Sequence, residues 1–391
     1  MGDMLPAADW TKREDLAGLM IALGDGNARY VGGAVRDTLL GIDVKDIDLA
    51  TPLVPDEVIA RLGAAGIRTV PTGIAHGTIT ALLAEGPVEI TTLRHDVSTD
   101  GRRATIAFAE DWRDDAARRD FTINALYADP ASGEIFDYFG GLEDLDARRV
   151  RFIGDARERI REDHLRILRY FRFQARFGSQ PADIESENAC AELAATLKAL
   201  SRERIGMEVL NLLGLPDPAP TIARMAELGV LAVVLPEAVV EPLATLVAEE
   251  QRQSIAPNPL RRLAALLPAD IGQAERVSAR FRLSRAQRER LASAVKRDPA
   301  VPEQPHALAY RLGMDLAIDR LLLTGAEAGI LAGWVIPVLP LRGGEIVARG
   351  VTVGPEVARL LRAVEDRWVE ENFPDKERIG VLLSEELGRS A

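Results

Sequence analysis

The sequence has little cysteine and no long hydrophobic run. Cys190 is the one cysteine among 391 residues, so no intramolecular disulfide can form, and a single thiol is typical of a reducing compartment. The longest charge-free apolar run, residues 328–341, contains two prolines and is too short for a membrane-spanning helix. The apolar residues 16–24 follow a mixed-charge run and lack the basic start of a secretory signal. We therefore expect a soluble, cytoplasmic protein.

The chain also lacks an excess of positive charge. Its 48 Lys and Arg residues face 60 Asp and Glu residues, which gives a net charge of −12 and by itself argues mildly against a nucleic-acid partner. The distribution changes this conclusion, because residues 148–176 hold ten arginines and four acidic residues, a local balance of +6. Local charge decides phosphate binding, whereas net charge mainly decides solubility. Residues 148–176 are therefore a candidate surface for a phosphate-bearing partner.

The pattern of hydrophobic residues changes near residue 150. Before it, short β-branched segments predict strands in RYVGGAV, IDLAT, GIRTVPTG, GTITALLA, PVEITTLR and ATIAF, and helices at 10–24, 34–40 and 54–65. From Asp155 onward the strand signals stop, and helical periodicity is interrupted only by proline-rich stretches. We predict an α+β chain with three parts: a head at 1–145, a helical neck at 146–215, and an all-helical body and tail at 216–391.

Two motifs in the head indicate phosphate chemistry. Gly32 and Gly33 precede a predicted helix, so backbone N–H groups could approach a triphosphate closely, and Arg36 could pair with its phosphates. Asp46 and Asp48 would project to one face of an extended segment. Two carboxylates that close are unfavourable unless a cation lies between them. Each motif alone also fits an ordinary turn, whereas their combination at this spacing is specific.

The combination GGxVRD, LG and DxDxxT within residues 31–51 resembles the signature of the DNA-polymerase-β-type nucleotidyltransferases. The resemblance is to the class II branch, which contains bacterial tRNA CCA-adding enzymes and bacterial poly(A) polymerases. Later segments extend it in order up to residue 213: PTGIAHGTIT, DAARRDFTINALYAD, FDYFGGLEDL, REDHLRILRYFRFQARFG and SRERIGMEVLNLL. It implies a polymerase-β-like head with a mixed sheet, followed by an all-α neck, body and tail.

The resemblance also implies a metal-dependent reaction. A nucleotide is joined to an RNA 3′-hydroxyl by in-line displacement at the α-phosphorus, with pyrophosphate leaving, and two Mg²⁺ ions about 4 Å apart neutralise the charge. Mg²⁺ prefers carboxylate oxygens, so Asp46 and Asp48 are the expected metal ligands and catalytic residues. Relatives add a third carboxylate, for which both Glu89 and Asp115 are candidates.

Further residues are expected to bind the nucleotide. By resemblance, Arg119 contacts it and Asp120 accepts a hydrogen bond from a ribose hydroxyl, which would favour ribonucleotides. Residues 94–112 match in position a mobile loop that CCA-adding relatives use to switch from C to A. A plain hairpin loop fits them equally well.

A second group of nucleotide-binding candidates recurs every third residue: Asp163, Arg166, Arg169 and Arg172. On one helix, neighbours in this row would be adjacent. Asp163 and Arg166 would lie at the same end of the row, while Arg169 and Arg172 would lie deeper and steady either phosphate or the reading pair. By resemblance, Asp163 and Arg166 read the Watson–Crick edge of CTP or ATP. The alternative is a surface helix with ordinary ion pairs, but the aromatic residues of the same segment predict that the helix is partly buried.

The resemblance therefore implies an enzyme that adds C, C and A to the tRNA 3′ end from CTP and ATP without a nucleic-acid template. The partners would be tRNA and the two nucleotides, and we expect no membrane partner. Alternatives within the class are a poly(A) polymerase, a CC-adding enzyme and an A-adding enzyme. The first lacks support, because neither residues 71–80 nor the C-terminus is basic. Distant alternatives are a non-catalytic RNA-binding protein and a small-molecule nucleotidyltransferase.

Overall fold

A computed structural model describes residues 3–99, 104–109, 111–297 and 304–390. The chain forms two compact units, one of residues 1–212 with 220–236 and one of residues 213–219 with 237–391. The predicted head and the predicted neck both fall within the first unit, apart from residues 213–215. The three-part division at residues 145 and 215 stays a prediction.

The strands lie in the head region. They are β1 Arg29–Val31, β2 Ile47–Thr51, β3 Arg68–Gly73, β4 Thr78–Leu83, β5 Gly86–Thr92, β6 Arg94–Thr99, β7 Ala104–Phe108, β8 Leu126–Ala128 and β9 Ile135–Asp137. Helices up to residue 236 are α1 Glu14–Leu23, α2 Gly33–Leu39, α3 Pro55–Ala64, α4 Trp112–Ala117, α5 Gly141–Asp146, α6 Ala156–Glu162, α7 Arg166–Phe177, α8 Ile184–Leu193, α9 Arg202–Leu213, α10 Ala219–Glu227 and α11 Val230–Val234.

The second unit is built from helices. They are α12 Glu241–Arg252, α13 Pro259–Ala265, α14 Ile271–Arg280, α15 Arg285–Ala294, α16 Pro305–Leu312, α17 Met314–Leu323, α18 Gly343–Val347, α19 Pro355–Glu370 and α20 Lys376–Ser390. No strand follows residue 155 in the described part of the chain, as the sequence predicts. None of the helices described is long and apolar enough to cross a bilayer.

A mixed sheet of order β3-β4-β5-β2-β1-β8-β9 positions the site. Strands β2 and β5 pair in parallel, with Asp48 opposite Glu89, and the other pairs are antiparallel. Successive side chains of a strand point to opposite faces. The apolar neighbours of the two acids, Ile47, Leu49, Val88 and Ile90, are buried. Asp48 and Glu89 consequently share the face opposite these apolar side chains.

The predicted α+β fold class is confirmed, and most predicted elements are present. The predicted helices at 34–40 and 54–65 correspond to α2 and α3, and the segment 10–24 forms a 3₁₀ turn followed by α1. Strands β8 and β9 were not predicted separately, because three-residue strands are too short to show a period of two.

Charged side chains are buried within the second unit. The carboxylate of Glu250 bonds Arg261 (Nη1–Oε1, 2.6 Å) and Arg262 (Nε–Oε2, 2.8 Å). That of Asp319 bonds Arg261 (Nε–Oδ1, 2.8 Å) and Arg290 (Nε–Oδ2, 2.7 Å). Glu250, Arg262 and Asp319 are at most 1% exposed. These ion pairs connect α12, α13, α15 and α17.

Candidate functional site

Asp46, Asp48 and Glu89 form an acidic face at the centre of the sheet. Strand register sets Asp48 beside Glu89, while Asp46 is exposed in the loop just before β2. Burial raises the pKa of Asp48, and the charges of Glu89 and Asp46 raise it further, against the opposing charge of Arg119. The negative charge at Asp48 is therefore only partly compensated by the protein itself.

This acidic face has the donor chemistry for a divalent cation. Carboxylate oxygens are the ligands that Mg²⁺ and similar hard cations prefer. In the described residues, no three His, Cys, Asp or Glu side chains already stand in a metal-binding arrangement. Register fixes the Cα positions, whereas each carboxylate can rotate about its χ angles, so this observation is compatible with a site that forms around the ion. The residues present therefore fit a divalent metal.

Arg119 lies between the glycine turn and the acidic face. Its Nε donates to the Tyr127 hydroxyl (3.1 Å) and its Nη2 to Oδ2 of Asp115 (3.1 Å). Gly32 has a φ of +68° and adjoins the guanidinium, because an added Cβ would lie 3.4 Å from Nη1 of Arg119. A side chain at Gly32 would strain the backbone and crowd Arg119.

Asp115 has no free position for a metal. Its carboxylate is 1% exposed and binds Arg118 through Oδ1 (Nε, 2.8 Å), and Arg119 and the Tyr127 hydroxyl through Oδ2. Burial alone would raise the pKa of Asp115, but Arg119, Arg118 and Tyr127 together lower it to about 2. Of the two candidates for a third carboxylate, only Glu89 faces Asp48.

Arg36 is turned into the head. It is 6% exposed, contacts the Phe177 ring (4.1 Å to the centroid), and donates to Asp37 (Nε–Oδ1, 2.8 Å) and to Oδ1 of Asn124. Burial lowers its pKa, against the charge of Asp37. These contacts do not support a direct contact between Arg36 and phosphate, which stays a prediction.

Asp120 joins the head to α7. Oδ2 accepts from Nε (2.8 Å) and Nη2 (2.5 Å) of Arg169, and Oδ1 accepts from the Phe121 N–H and from Nδ2 of Asn124, each at 2.9 Å. Burial would raise the pKa of Asp120, but the charge of Arg169 and the Asn124 bond lower it to about 2. The carboxylate already accepts four hydrogen bonds, so a ribose hydroxyl would have to replace one of them.

The prediction that Asp163 lies on one helix with Arg166, Arg169 and Arg172 is wrong. Helix α6 ends at Glu162, Asp163 is extended (φ −147°, ψ 105°), and α7 begins at Arg166. Oδ1 of Asp163 accepts from the Leu165 N–H (3.1 Å), a local bond that competes with helix continuation. Asp163 and Arg166 remain neighbours, because the Arg166 N–H donates to the Asp163 carbonyl (3.0 Å).

The expectation that Arg169 and Arg172 lie deeper than Arg166 is also wrong. The exposed side-chain fractions are 12% for Arg166, 33% for Arg169 and 19% for Arg172. Arg166 is covered because it donates to Glu162 (Nη1–Oε2, 2.5 Å) and to the carbonyls of residues 118 and 159.

Two residues of α9 contact this group and were not predicted. Arg204 donates to Oδ2 of Asp163 (2.8 Å), and Glu208 accepts from Nε of Arg172 (2.7 Å). The spacing of Arg204 and Glu208, four residues apart on one helix face, was the available signal.

Residues 94–112 contain an antiparallel hairpin of β6 and β7. Its tip, residues 100–103, and residue 110 lie outside the described residues. A role of this segment in switching from C to A stays a prediction.

Two protein-family models match the chain. One, described as "Poly A polymerase head domain", matches residues 28–151. The other, described as "Probable RNA and SrmB- binding site of polymerase A", matches residues 183–240. The first match contains the glycine turn, the acidic face and Arg119.

Known proteins resemble the chain over most of its length. It is 35% identical to the mitochondrial CCA tRNA nucleotidyltransferase 1 of Mus musculus over 365 residues, 88% of this chain and 83% of the mouse protein. The crystal structure of the Bacillus stearothermophilus CCA-adding enzyme in complex with CTP aligns with a TM-score of 0.75 and 27% identity, covering 96% of this chain and 98% of that one. The Thermotoga maritima CCA-adding enzyme complexed with tRNA shares the fold, with a TM-score of 0.69 at 22% identity over 93% of this chain and 92% of that one.

Proposed function

This chain belongs to the CCA tRNA nucleotidyltransferase family, within the class II nucleotidyltransferases, and we propose that it adds C, C and A to the 3′ end of tRNA from CTP and ATP. The observation that carries this proposal is the position of the acidic face of Asp48 and Glu89 beside Arg119 and the Gly32 turn. A triphosphate and a divalent cation need these groups next to each other.

In this proposal each residue has a defined task. Asp46, Asp48 and Glu89 would hold the divalent metal, and the metal would supply neutralisation of charge on the attacking and leaving oxygens. The backbone N–H groups of the Gly32 turn and the guanidinium of Arg119 hold the triphosphate. We propose Mg²⁺ as the metal, because the donors are all carboxylates.

Asp163 and Arg166 are proposed to read the base. Arg166 has five N–H donors, and three hydrogen bonds are formed within the described part of the chain, so two donors remain for a nucleotide. Asp163 supplies an acceptor next to them. Asp163 accepts one hydrogen bond at each oxygen, from the Leu165 N–H and from Arg204, and so keeps lone pairs for a nucleotide. An acceptor and two donors together match the edge of a base.

The test of the proposed function is single-nucleotide extension. Three tRNA transcripts, ending at the discriminator base, at C and at CC, are incubated with CTP, ATP or both. Addition of CCA followed by a stop supports the proposal. A halt after CC identifies a CC-adding enzyme, extension of the CC transcript alone an A-adding enzyme, and a growing A-tail a poly(A) polymerase. Absence of incorporation would contradict a catalytic role.

Replacing Arg166 with Ala is expected to relax the choice among the four nucleoside triphosphates by about 10-fold or more, because a good contact to a base edge contributes about 1–3 kcal/mol of discrimination. Competition between NTPs measures the selectivity among the four nucleotides. Binding of tRNA is measured in parallel. Arg161→Ala, on the exposed side of α6, is the control. Unchanged selectivity in Arg166→Ala would refute base reading by this residue.

We also propose a cytoplasmic location, on the basis of a single cysteine in a chain that needs no disulfide. The mouse relative is named as a mitochondrial enzyme. Cell fractionation with an antibody against the protein decides between the two compartments.

A further inference from the structure

Arg119 belongs to a closed ring of hydrogen bonds that the sequence motif does not explain. Nε of Arg119 donates to the Tyr127 hydroxyl (3.1 Å), this hydroxyl donates to Oδ2 of Asp115 (2.6 Å), and Nη2 of Arg119 donates to the same Oδ2 (3.1 Å). Tyr127 is 0% and Asp115 1% exposed. The two partners of Arg119 in the ring are therefore shielded from water, while the Arg119 side chain itself keeps an exposed fraction of 19%.

This ring leaves one end of the guanidinium available. Nε and Nη2 are engaged, whereas Nη1 lies against Gly32, where an added Cβ would be 3.4 Å away. The Tyr127 ring is itself held edge-on by Trp112 (5.9 Å between centroids) and Tyr138 (6.0 Å). A guanidinium fixed at two nitrogens keeps its plane, so the direction of Nη1 is set before any ligand arrives.

The charge balance of the ring favours an anion at Nη1. Asp115 is shared by Arg118 and Arg119, so these two cations face one carboxylate. Arg119 also faces Asp48. A divalent cation on the acidic face would offset the charge of Asp48, and a net positive charge would then remain at Arg119. Tyr127 stays neutral, because burial raises the pKa of its hydroxyl. A tyrosine can thus accept from Arg119 and donate to Asp115 without cancelling that charge, whereas a second carboxylate at this position would cancel it.

We propose that Tyr127 and Asp115 are positioning residues for the nucleoside triphosphate: they aim Nη1 of Arg119 at phosphate lying against the Gly32 turn. This inference rests on the proposed function, in which Arg119 contacts the nucleotide. Neither positioning residue touches the substrate. Their effect is on binding, since a preorganised arginine loses less side-chain freedom when the phosphate arrives. Loss of either positioning residue should therefore raise KM for the nucleotide and leave kcat nearly unchanged.

The test compares Tyr127→Phe with the wild-type chain in single-nucleotide addition. We expect KM for both CTP and ATP to rise about 5- to 10-fold, an effect of the size of one ordinary hydrogen bond, because the substitution acts on the nucleotide only through Arg119. The values of kcat and of KM for tRNA should change less than about twofold. Tyr138→Phe is the matched control, because its hydroxyl accepts from Arg29 (2.9 Å) and its ring also packs on Tyr127.

A double-mutant cycle with Arg119→Ala separates this inference from the proposed function. If Tyr127 acts through Arg119, Tyr127→Phe has no further effect on KM in the Arg119→Ala background. An unchanged KM in Arg119→Ala alone would show that the proposed contact of Arg119 with the nucleotide is wrong. Given a raised KM in Arg119→Ala, the positioning role would be overturned if Tyr127→Phe alone had no effect on KM in the wild-type background, or if the effects of the two substitutions added in the double variant. If Tyr127→Phe does not fold, Asp115→Asn is used in the same cycle.

Discussion

Asp48→Asn is expected to lower the rate of nucleotide transfer by at least about 10³-fold while the protein stays folded, because a metal ligand in the reaction contributes several kcal/mol. The same substitution should not lower the stability of the fold. Burial and the charges of Glu89 and Asp46 raise the pKa of Asp48, so the ionised carboxylate is destabilised in the fold. Its neutral analogue should therefore unfold at an equal or a higher temperature. Single-turnover extension measures the rate of nucleotide transfer, and thermal unfolding of the same preparation measures the unfolding temperature.

The control for this change is Asp43→Asn, an exposed acid in the same loop before β2. It should retain wild-type turnover. Removal of divalent cations by a chelator should stop the wild-type enzyme, and added Mg²⁺ should restore it. Turnover of Asp48→Asn above a few per cent of wild type, or a clear loss of its thermal stability, would contradict the assignment of Asp48 as a metal ligand in an acidic face.

The acidic face of Asp46, Asp48 and Glu89 could be predicted from the sequence only in part. The spacing of Asp46 and Asp48, combined with the preceding Gly32-Gly33 motif, indicated a cation, since two carboxylates on one face of an extended segment repel each other. The choice between Glu89 and Asp115 needed the pairing of β2 with β5, which joins residues 41 positions apart, Asp48 with Glu89. No local pattern encodes such a register.

The wrong expectations for α7 have a local cause. Three-residue spacing indicated one helix through Asp163 and Arg166, but an aspartate side chain that bonds the N–H two residues later ends a helix instead of continuing it. The depth of Arg169 was misjudged for another reason. Arg166 is the most covered of the three arginines because acceptors surround it, and one of them, the carbonyl of residue 118, is 48 residues away along the chain.

The ring of Arg119, Asp115 and Tyr127 was partly visible in the sequence. Arg119 and Asp115 are four residues apart, as in an ion pair on one helix. Tyr127 lies in β8, a strand that was not predicted separately, so its proximity became evident only with the fold. Helical periodicity likewise predicted helices in the second unit and gave no sign of charged residues inside it.

Replacing Glu250 with Gln is expected to lower the free energy of unfolding by about 3–5 kcal/mol, the cost of removing one partner from a buried ion pair. Glu250 is 1% exposed and its two oxygens bond Arg261 and Arg262. Arg261 keeps Asp319 as a partner, and Arg262 keeps the carbonyls of residues 213, 215 and 216. The loss therefore falls mainly on Arg262, whose charge would be buried at 1% exposure without a carboxylate.

Urea unfolding of the full chain measures this loss, and the neighbouring residue provides the control. Glu249 lies on the same helix, α12, and pairs with Arg252 at the surface (2.7 Å). Because water screens an exposed pair, Glu249→Gln should leave the unfolding midpoint unchanged. The two variants remove the same charge from adjacent positions, so net charge cannot explain a difference between them. Equal midpoints for Glu250→Gln and Glu249→Gln would show that the buried pairs do not hold α12 to α13.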